Sequence, residues 1–192
     1  MSKSISFIVA TSCRPTVAAT LKSIECWPGD EIILVSDAAQ HLQVQDYVRE
    51  NPFVRWMHHP PGNDWGHTER NFAMPHAKCD YIAHLDDDDT YAAGHRAIMD
   101  AAIQQHPGRP LIFKMRYANG GELWRTQIVE CGNVGTPMSL VPNDPKIRGT
   151  FEPYYGGDLL YLESYARLAG LASEDFVWRE EVTVLIRPHI AV

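Results

Sequence analysis

Residues 81–89 read Tyr-Ile-Ala-His-Leu-Asp-Asp-Asp-Asp. An apolar run of strand length, Tyr81 to Leu85, leads directly into four consecutive carboxylates, Asp86, Asp87, Asp88 and Asp89. Like charges crowded this closely are unfavourable unless a cation offsets them. The other reading, a solvated acidic turn, fits less well after so apolar a strand. Ligands of open α/β sheets bind outside the carboxyl ends of the strands, where this run falls. An oxygen-only donor set suits Mg²⁺ or Mn²⁺ better than zinc.

Three further strand-like runs precede it: Ile5 to Ala10, Glu31 to Val35 and Phe53 to Met57. Segments of helical character lie between them, Thr16 to Cys26, Gln40 to Glu50 and Thr68 to Lys78, with Pro75 expected to shorten or kink the third. The β-α-β-α-β-α-β order predicts a mostly parallel sheet covered on both faces. After residue 90 the rhythm changes. A helix is expected over Tyr91 to Gln105, then a strand Leu111 to Tyr117, an Asn119-Gly120-Gly121 turn and a hairpin return over Glu122 to Glu130. Cys131 to Gly157 reads as a long irregular, functional loop region. Helical periodicity resumes over Asp158 to Ala169, Gly170 stops it, and a strand Glu181 to Ile186 follows.

The 192 residues, 45% hydrophobic and 21% charged, suit one globular domain with no boundary, repeat or low-complexity linker. The net charge of -7, with no two basic residues adjacent, disfavours bulk nucleic-acid binding. Neither a secretory leader nor a membrane span is expected from the apolar runs. Cys13, Cys26, Cys79 and Cys131 are far apart, so neither a zinc site nor a disulfide framework is signalled, and a reducing cytoplasm is the expected location. His58, His59 and His67 are discounted as a metal site, because adjacent residues on a strand end point to opposite sides.

Several stretches together resemble the inverting family-2 glycosyltransferases of GT-A fold. "SISFIVATSCRP" (4–15) is similar to the family's opening strand and its Thr-x-x-Arg-Pro ending, and Leu21-Lys22-Ser23-Ile24 looks like its first helix. "EIILVSDAA" (31–39) looks like the second strand with its acidic nucleotide-binding end. "GHTERNFAMPHAKCDYIAHLDDDD" (66–89) resembles the family's run ending in Leu-Asp-x-Asp-Asp, and "GGDLLYLESYARLAG" (156–170) its Gly-Glu-Asp helix. There are departures: Ser36-Asp37-Ala38-Ala39 where many members have Asp-Asp-Gly-Ser, Glu69 for a small residue, and Gly157 for the acid before Asp158. The resemblance implies a single GT-A domain, a Rossmann-like, mostly parallel sheet flanked by helices with a small antiparallel hairpin region. Residues 1–90 would form the nucleotide-binding half and 91–192 the acceptor-binding half.

The implied activity is metal-dependent, inverting transfer of a sugar from a nucleotide diphosphate, a UDP-sugar in this reading, to an acceptor hydroxyl. Asp37 would accept from a uracil-like N3–H, or else cap the following helix. Thr11 and Arg14 would touch nucleotide or diphosphate, or serve as cap and surface charge. Arg70 would face the diphosphate, orient the acidic cluster or form a structural ion pair. Asp86 would lie towards the ribose and Asp88 would hold Mn²⁺ or Mg²⁺, with Asp87 and Asp89 supporting; His189 is a further candidate ligand, or an ordinary histidine at the core edge. Asp158 is the candidate base and helix cap, with Glu152 as substitute. Tyr154, Tyr155, Trp124 and Trp178 are candidate acceptor-platform aromatics. Two other classes remain open: a nucleotidyltransferase, whose Gly-rich, Lys-containing loop is missing, and a nucleotide- or sugar-binding module without turnover.

Overall fold

The computed structural model describes residues 2–37 and 45–188. The chain begins with β1 (Ile5–Thr11), α1 (Val17–Ser23), β2 (Glu31–Ser36), α2 (Gln45–Glu50), β3 (Val54–His58), α3 (His67–Ala73) and β4 (Tyr81–Asp86). It continues through β5 (Thr90–Tyr91), α4 (His95–Gln105), β6 (Leu111–Tyr117), β7 (Glu122–Leu123), β8 (Ser139–Pro142), α5 (Gly157–Ala169) and β9 (Val177–Ile186). The strands form one sheet in the order β3-β2-β1-β4-β8-β6-β9-β5, with β7 paired to β6.

Every residue of β1 is buried, as are all of β2 after Glu31 and all of β4 before Asp86. Continuous apolar runs of this kind belong in a parallel sheet with helices on both faces. The chain steps outward from β1 through β2 to β3, then crosses to place β4 on the other side of β1. This reversal is a topological switch point, and it opens a crevice beyond the carboxyl ends of β1 and β4. Register puts Ala10 beside Asp86 and Thr11 beside Ser36, so the end of β4 and the loop after β1 face each other.

Among the described residues the first half follows the sequence pattern closely; residues 40–44 of the expected Gln40 to Glu50 helix lie outside them. Pro75 ends α3 early: the helix gives way to a 3₁₀ turn at Met74–His76. The second half departs in four places, one of them that β9 begins at Val177, four residues before the expected Glu181. No helix starts at Tyr91; Thr90 and Tyr91 instead pair with Leu185 and Val184 of β9, and α4 begins after Gly94. The hairpin return is only Glu122–Leu123. The supposed loop region holds β8, inserted antiparallel between β4 and β6. Four residues carry too little periodicity to announce a strand, and their ladder comes entirely from neighbours distant in sequence.

Helix α4 is tied to the sheet's amino-terminal side by a buried ion pair. Arg96 Nε donates to Asp30 Oδ2 at 2.7 Å and Nη2 to the Lys3 carbonyl at 2.7 Å, and the guanidinium lies 4.4 Å from the Trp27 ring centroid. Asp30 also accepts the Ile5 and Trp27 backbone N–H groups, so its lone pairs are well used.

Candidate active site

The turn closing β4 sorts its four carboxylates into two directions. Asp87 points to the loop after β1, where it accepts the Thr11 hydroxyl at 2.8 Å and lies 3.5 Å from Arg14 Nη1. Asp86, Asp88 and Asp89 face one another, each offering an oxygen within 4.8 Å of the others. The sequence reading paired Asp89 with Asp87 as supporting acids; the turn separates them and brings Asp89 to the other two.

Three guanidiniums from distant parts of the chain meet this cluster. Arg70, buried on α3, pairs with Asp86 and gives its other arm to the Trp65 carbonyl at 2.8 Å. Arg14 Nη1 lies 2.8 Å from Asp88 Oδ2, and Arg187 Nε lies 3.2 Å from the same oxygen. The Arg187 backbone N–H also donates to Asp89 Oδ1 at 2.9 Å. Nothing local in the sequence marks Arg187. It arrives because β9 pairs with β5, whose first residue follows Asp89.

Burial, then the neighbouring Asp86, pushes the Asp89 carboxyl up to about 8. Burial likewise raises Asp87, opposed by the Thr11 hydrogen bond and Arg14. It raises Asp86 too, although 38% of that side chain faces the cleft; Arg70 opposes this rise while Asp88 and Asp158 add to it. Three carboxylates brought this close, offering oxygen donors only, could hold a hard divalent cation. The residues that could supply its ligands are Asp86, Asp88 and Asp89.

A cleft of about 320 Å³ runs from these carboxylates along the carboxyl ends of β1 and β2. Its walls include Thr11, Arg14, Asp37, Arg70, Asp86, Asp87 and Asp88, so seven residues singled out from sequence share it. Asn63, Asp64 and Trp65 from the loop before α3 also wall it, as do Ser12, Glu69 and Arg187, and no local sequence signal marks the loop residues for this place. Gly66 there has φ 82°, and a Cβ on it would stand 2.8 Å from Ala10 Cβ, so only glycine lets the loop lie against β1.

On the other side of Asp86 lie two adjoining hollows of about 520 and 320 Å³, both lined by Asp158, Tyr155 and Arg187. Asp158 does not cap α5: Gly156 holds the cap position at φ 97°, and Asp158 sits in the first turn with its carboxylate accepting its neighbour Leu159 N–H. Gly157 explains itself by contact. A Cβ there would meet the Glu152 carbonyl at 2.4 Å and His67 Nε2 at 2.7 Å, so the acidic residue usual before Asp158 has no room. Burial, and then Arg70, lower the pKa of His67.

Other nominated residues fall elsewhere. Glu152 lines a separate hollow with Tyr154, Glu163 and Arg167, away from the carboxylates. Trp124 is buried against Trp178, rings 5.4 Å apart, and both pack with the core instead of facing either hollow. His189 lies outside the described residues.

No helix of the described residues is long and apolar enough to cross a membrane. Residues 6–139 match the family model for Glycosyl transferase family 2. No curated protein matches the sequence. Among solved structures, S. aureus TarS superposes with TM-score 0.77 at 15% identity, over 95% of this chain and 36% of that one. TarS 1-349 in complex with UDP-GlcNAc gives 0.76 at 16% identity, over 98% and 62%, and the complex with UDP gives 0.70 at 15%, over 95% and 60%. The chain thus spans less than two thirds of these structures, and at such identity the likeness shows a shared GT-A fold. The match to the family model covers well over half of the sequence, with the acidic run inside it, and the chain belongs to glycosyl transferase family 2.

Proposed function

We propose that this chain transfers a sugar from a uridine diphosphate sugar to an acceptor hydroxyl with inversion, using Mn²⁺ or Mg²⁺. One observation carries the reading: Asp86 stands between a cleft lined by Thr11, Arg14 and Asp37 and hollows lined by Asp158. Inverting transfer needs the leaving diphosphate and the base on opposite sides of the sugar carbon. Asp158 borders only the second side.

Asp37, at the end of β2, would accept from the uracil N3–H. Arg14 and Arg187, whose side chains are more than half exposed, would turn from Asp88 to the phosphate oxygens as bidentate donors. Arg70 would hold Asp86 in place from its buried seat. Asp86, Asp88 and Asp89 would bind the divalent ion, whose chemistry is Lewis-acid neutralisation of charge on the departing diphosphate. Asp158 would take the proton from the attacking hydroxyl. The structural likeness to TarS, crystallised with UDP-GlcNAc and with UDP, supports the uridine choice.

Calorimetric titration with UDP tests the donor half. Affinity is expected to fall about tenfold or more when a chelator is added or when Asp88 is changed to Asn. Equal affinity with and without metal would remove the divalent-ion mechanism.

A further inference from the structure

We propose that Trp65 and Tyr155 form an aromatic platform that stacks on the C–H face of a pyranose ring at the mouth of the site. The inference rests on the glycosyltransferase reading and adds the residues that recognise the sugar. Trp65 is 63% exposed and Tyr155 79%, yet their rings meet edge to face, centroids 5.9 Å apart at 73°. Single exposed aromatics are ordinary; a paired set beside a charged cleft is a recognition surface. Tyr117, also exposed, lines the same hollow with Asp86, Asp158 and this pair.

The pair is held outward deliberately. Trp65 has φ 61°, a left-handed conformation that bulky side chains avoid, and Asn63 at φ 54° and Gly66 at φ 82° share its loop. The loop is pinned on both sides of the tryptophan. Glu69 accepts the Gly62 N–H at 3.0 Å, and Asp64 accepts the Thr68 N–H at 3.1 Å and its hydroxyl at 2.5 Å. The Trp65 carbonyl receives Arg70 Nη1, and Arg70 pairs with Asp86, so the ring's backbone is tied directly to the acidic cluster.

Behind the pair, ring contacts continue into the core. Trp65 lies 6.3 Å from His67, His67 stacks on Phe151 at 5.4 Å, and Phe151 stacks on Tyr161 at 4.2 Å. The platform therefore has a rigid backing and needs little ordering on binding. A pyranose suits it, with an apolar C–H face for the rings and an equatorial hydroxyl rim for the surrounding carboxylates. A nucleobase suits it less: Trp65 also borders the cleft that holds Asp37, but Tyr155 does not, so the pair acts together only on the side of Asp158.

The ring could belong to the donor or to the acceptor, and the test separates them. The affinity of the full chain with Mn²⁺ is measured for UDP, for UDP-GlcNAc and, on UDP-loaded protein, for chitotriose and cellotriose. Wild type, Trp65→Ala, Tyr155→Ala and Trp65→Phe are compared. For Tyr155→Ala, UDP affinity is expected to stay within about twofold while one sugar ligand weakens about tenfold; Trp65→Ala, which also alters the wall of the Asp37 cleft, is expected to weaken the same sugar ligand clearly more than it weakens UDP, and Trp65→Phe restores most of that loss. Loss confined to UDP-GlcNAc assigns the donor ring, and loss confined to an oligosaccharide assigns the acceptor ring. Unaltered affinity for every sugar ligand, or a fall in UDP affinity equal to that in UDP-GlcNAc, overturns the platform. If the wild type fails to bind UDP, the glycosyltransferase reading falls and takes this inference with it; UDP binding with unaltered sugar affinity sinks this inference alone.

Discussion

His95 stands in the first turn of α4 with its ring stacked on Tyr91, centroids 4.2 Å apart, and edge-on to Phe7 at 6.0 Å. Its Nδ1 lies 3.0 Å from the Ala92 carbonyl, which selects the Nδ1–H tautomer. A second proton must therefore go to Nε2, which is buried with no hydrogen-bond partner among the described residues. Burial pushes the imidazole down to about 4; Arg96 acts with it, while the Ala92 carbonyl, Glu25 and Asp30 act against it. Because the unfolded chain takes up this proton near pH 6.5, the unfolded state binds more protons below that pH. Stability is then lost as pH falls from about 6.5 towards 4 and levels off below. With those two values, linkage gives a loss of about 2.5 kcal/mol between about pH 7.5 and pH 4.5. Urea denaturation of wild type and His95→Phe at both pH values isolates it, since carboxylate effects cancel between the proteins. The wild type should lose about 2.5 kcal/mol more than His95→Phe. Equal losses would show that His95 is not held neutral by its burial.

Asp158→Asn should lower transfer by about 10² or more with donor affinity unchanged, whereas Glu152→Gln, which alters a separate hollow, should leave the rate near wild type; the reverse pattern would move the base to Glu152. Asp30→Ala would strand the buried Arg96 guanidinium and two backbone N–H groups, and urea titration should register a loss of about 3–5 kcal/mol; a cost below about 1 kcal/mol would mean that the pair is solvated. Gly157→Ala forces the start of α5 away from His67 and the Glu152 carbonyl, so it should lower stability by about 1–3 kcal/mol and lower transfer with it, and an unchanged melting temperature would contradict that contact.

Much of the site was legible because it is built on strand ends. In β1, β2 and β4 a fully buried apolar run stops abruptly at polar residues, and that transition places Thr11, Asp37 and Asp86 before any tertiary contact is known. Parallel strands with right-handed crossovers then leave few ways to bring those ends together. Arg70 was legible for a related reason, its place in the helix between β3 and β4. The sorting of the acidic run was not, since four identical carboxylates in a row give no sign of which way the turn throws each one.

The local sequence determined that this protein has a parallel core, a crevice at its switch point and a carboxylate cluster in that crevice, because burial pattern and charge crowding act over a few residues. Only the tertiary structure decided which groups complete the cluster. Arg187 comes from the pairing of β9 with β5, β8 exists because β4 and β6 each lend it a ladder, and Trp65 faces outward because Glu69, Asp64 and Arg70 fasten its loop. Each of these depends on partners tens of residues away or on backbone conformations that the local pattern disfavours. Such choices are settled by the fold as a whole and leave almost no trace in the residues that make them.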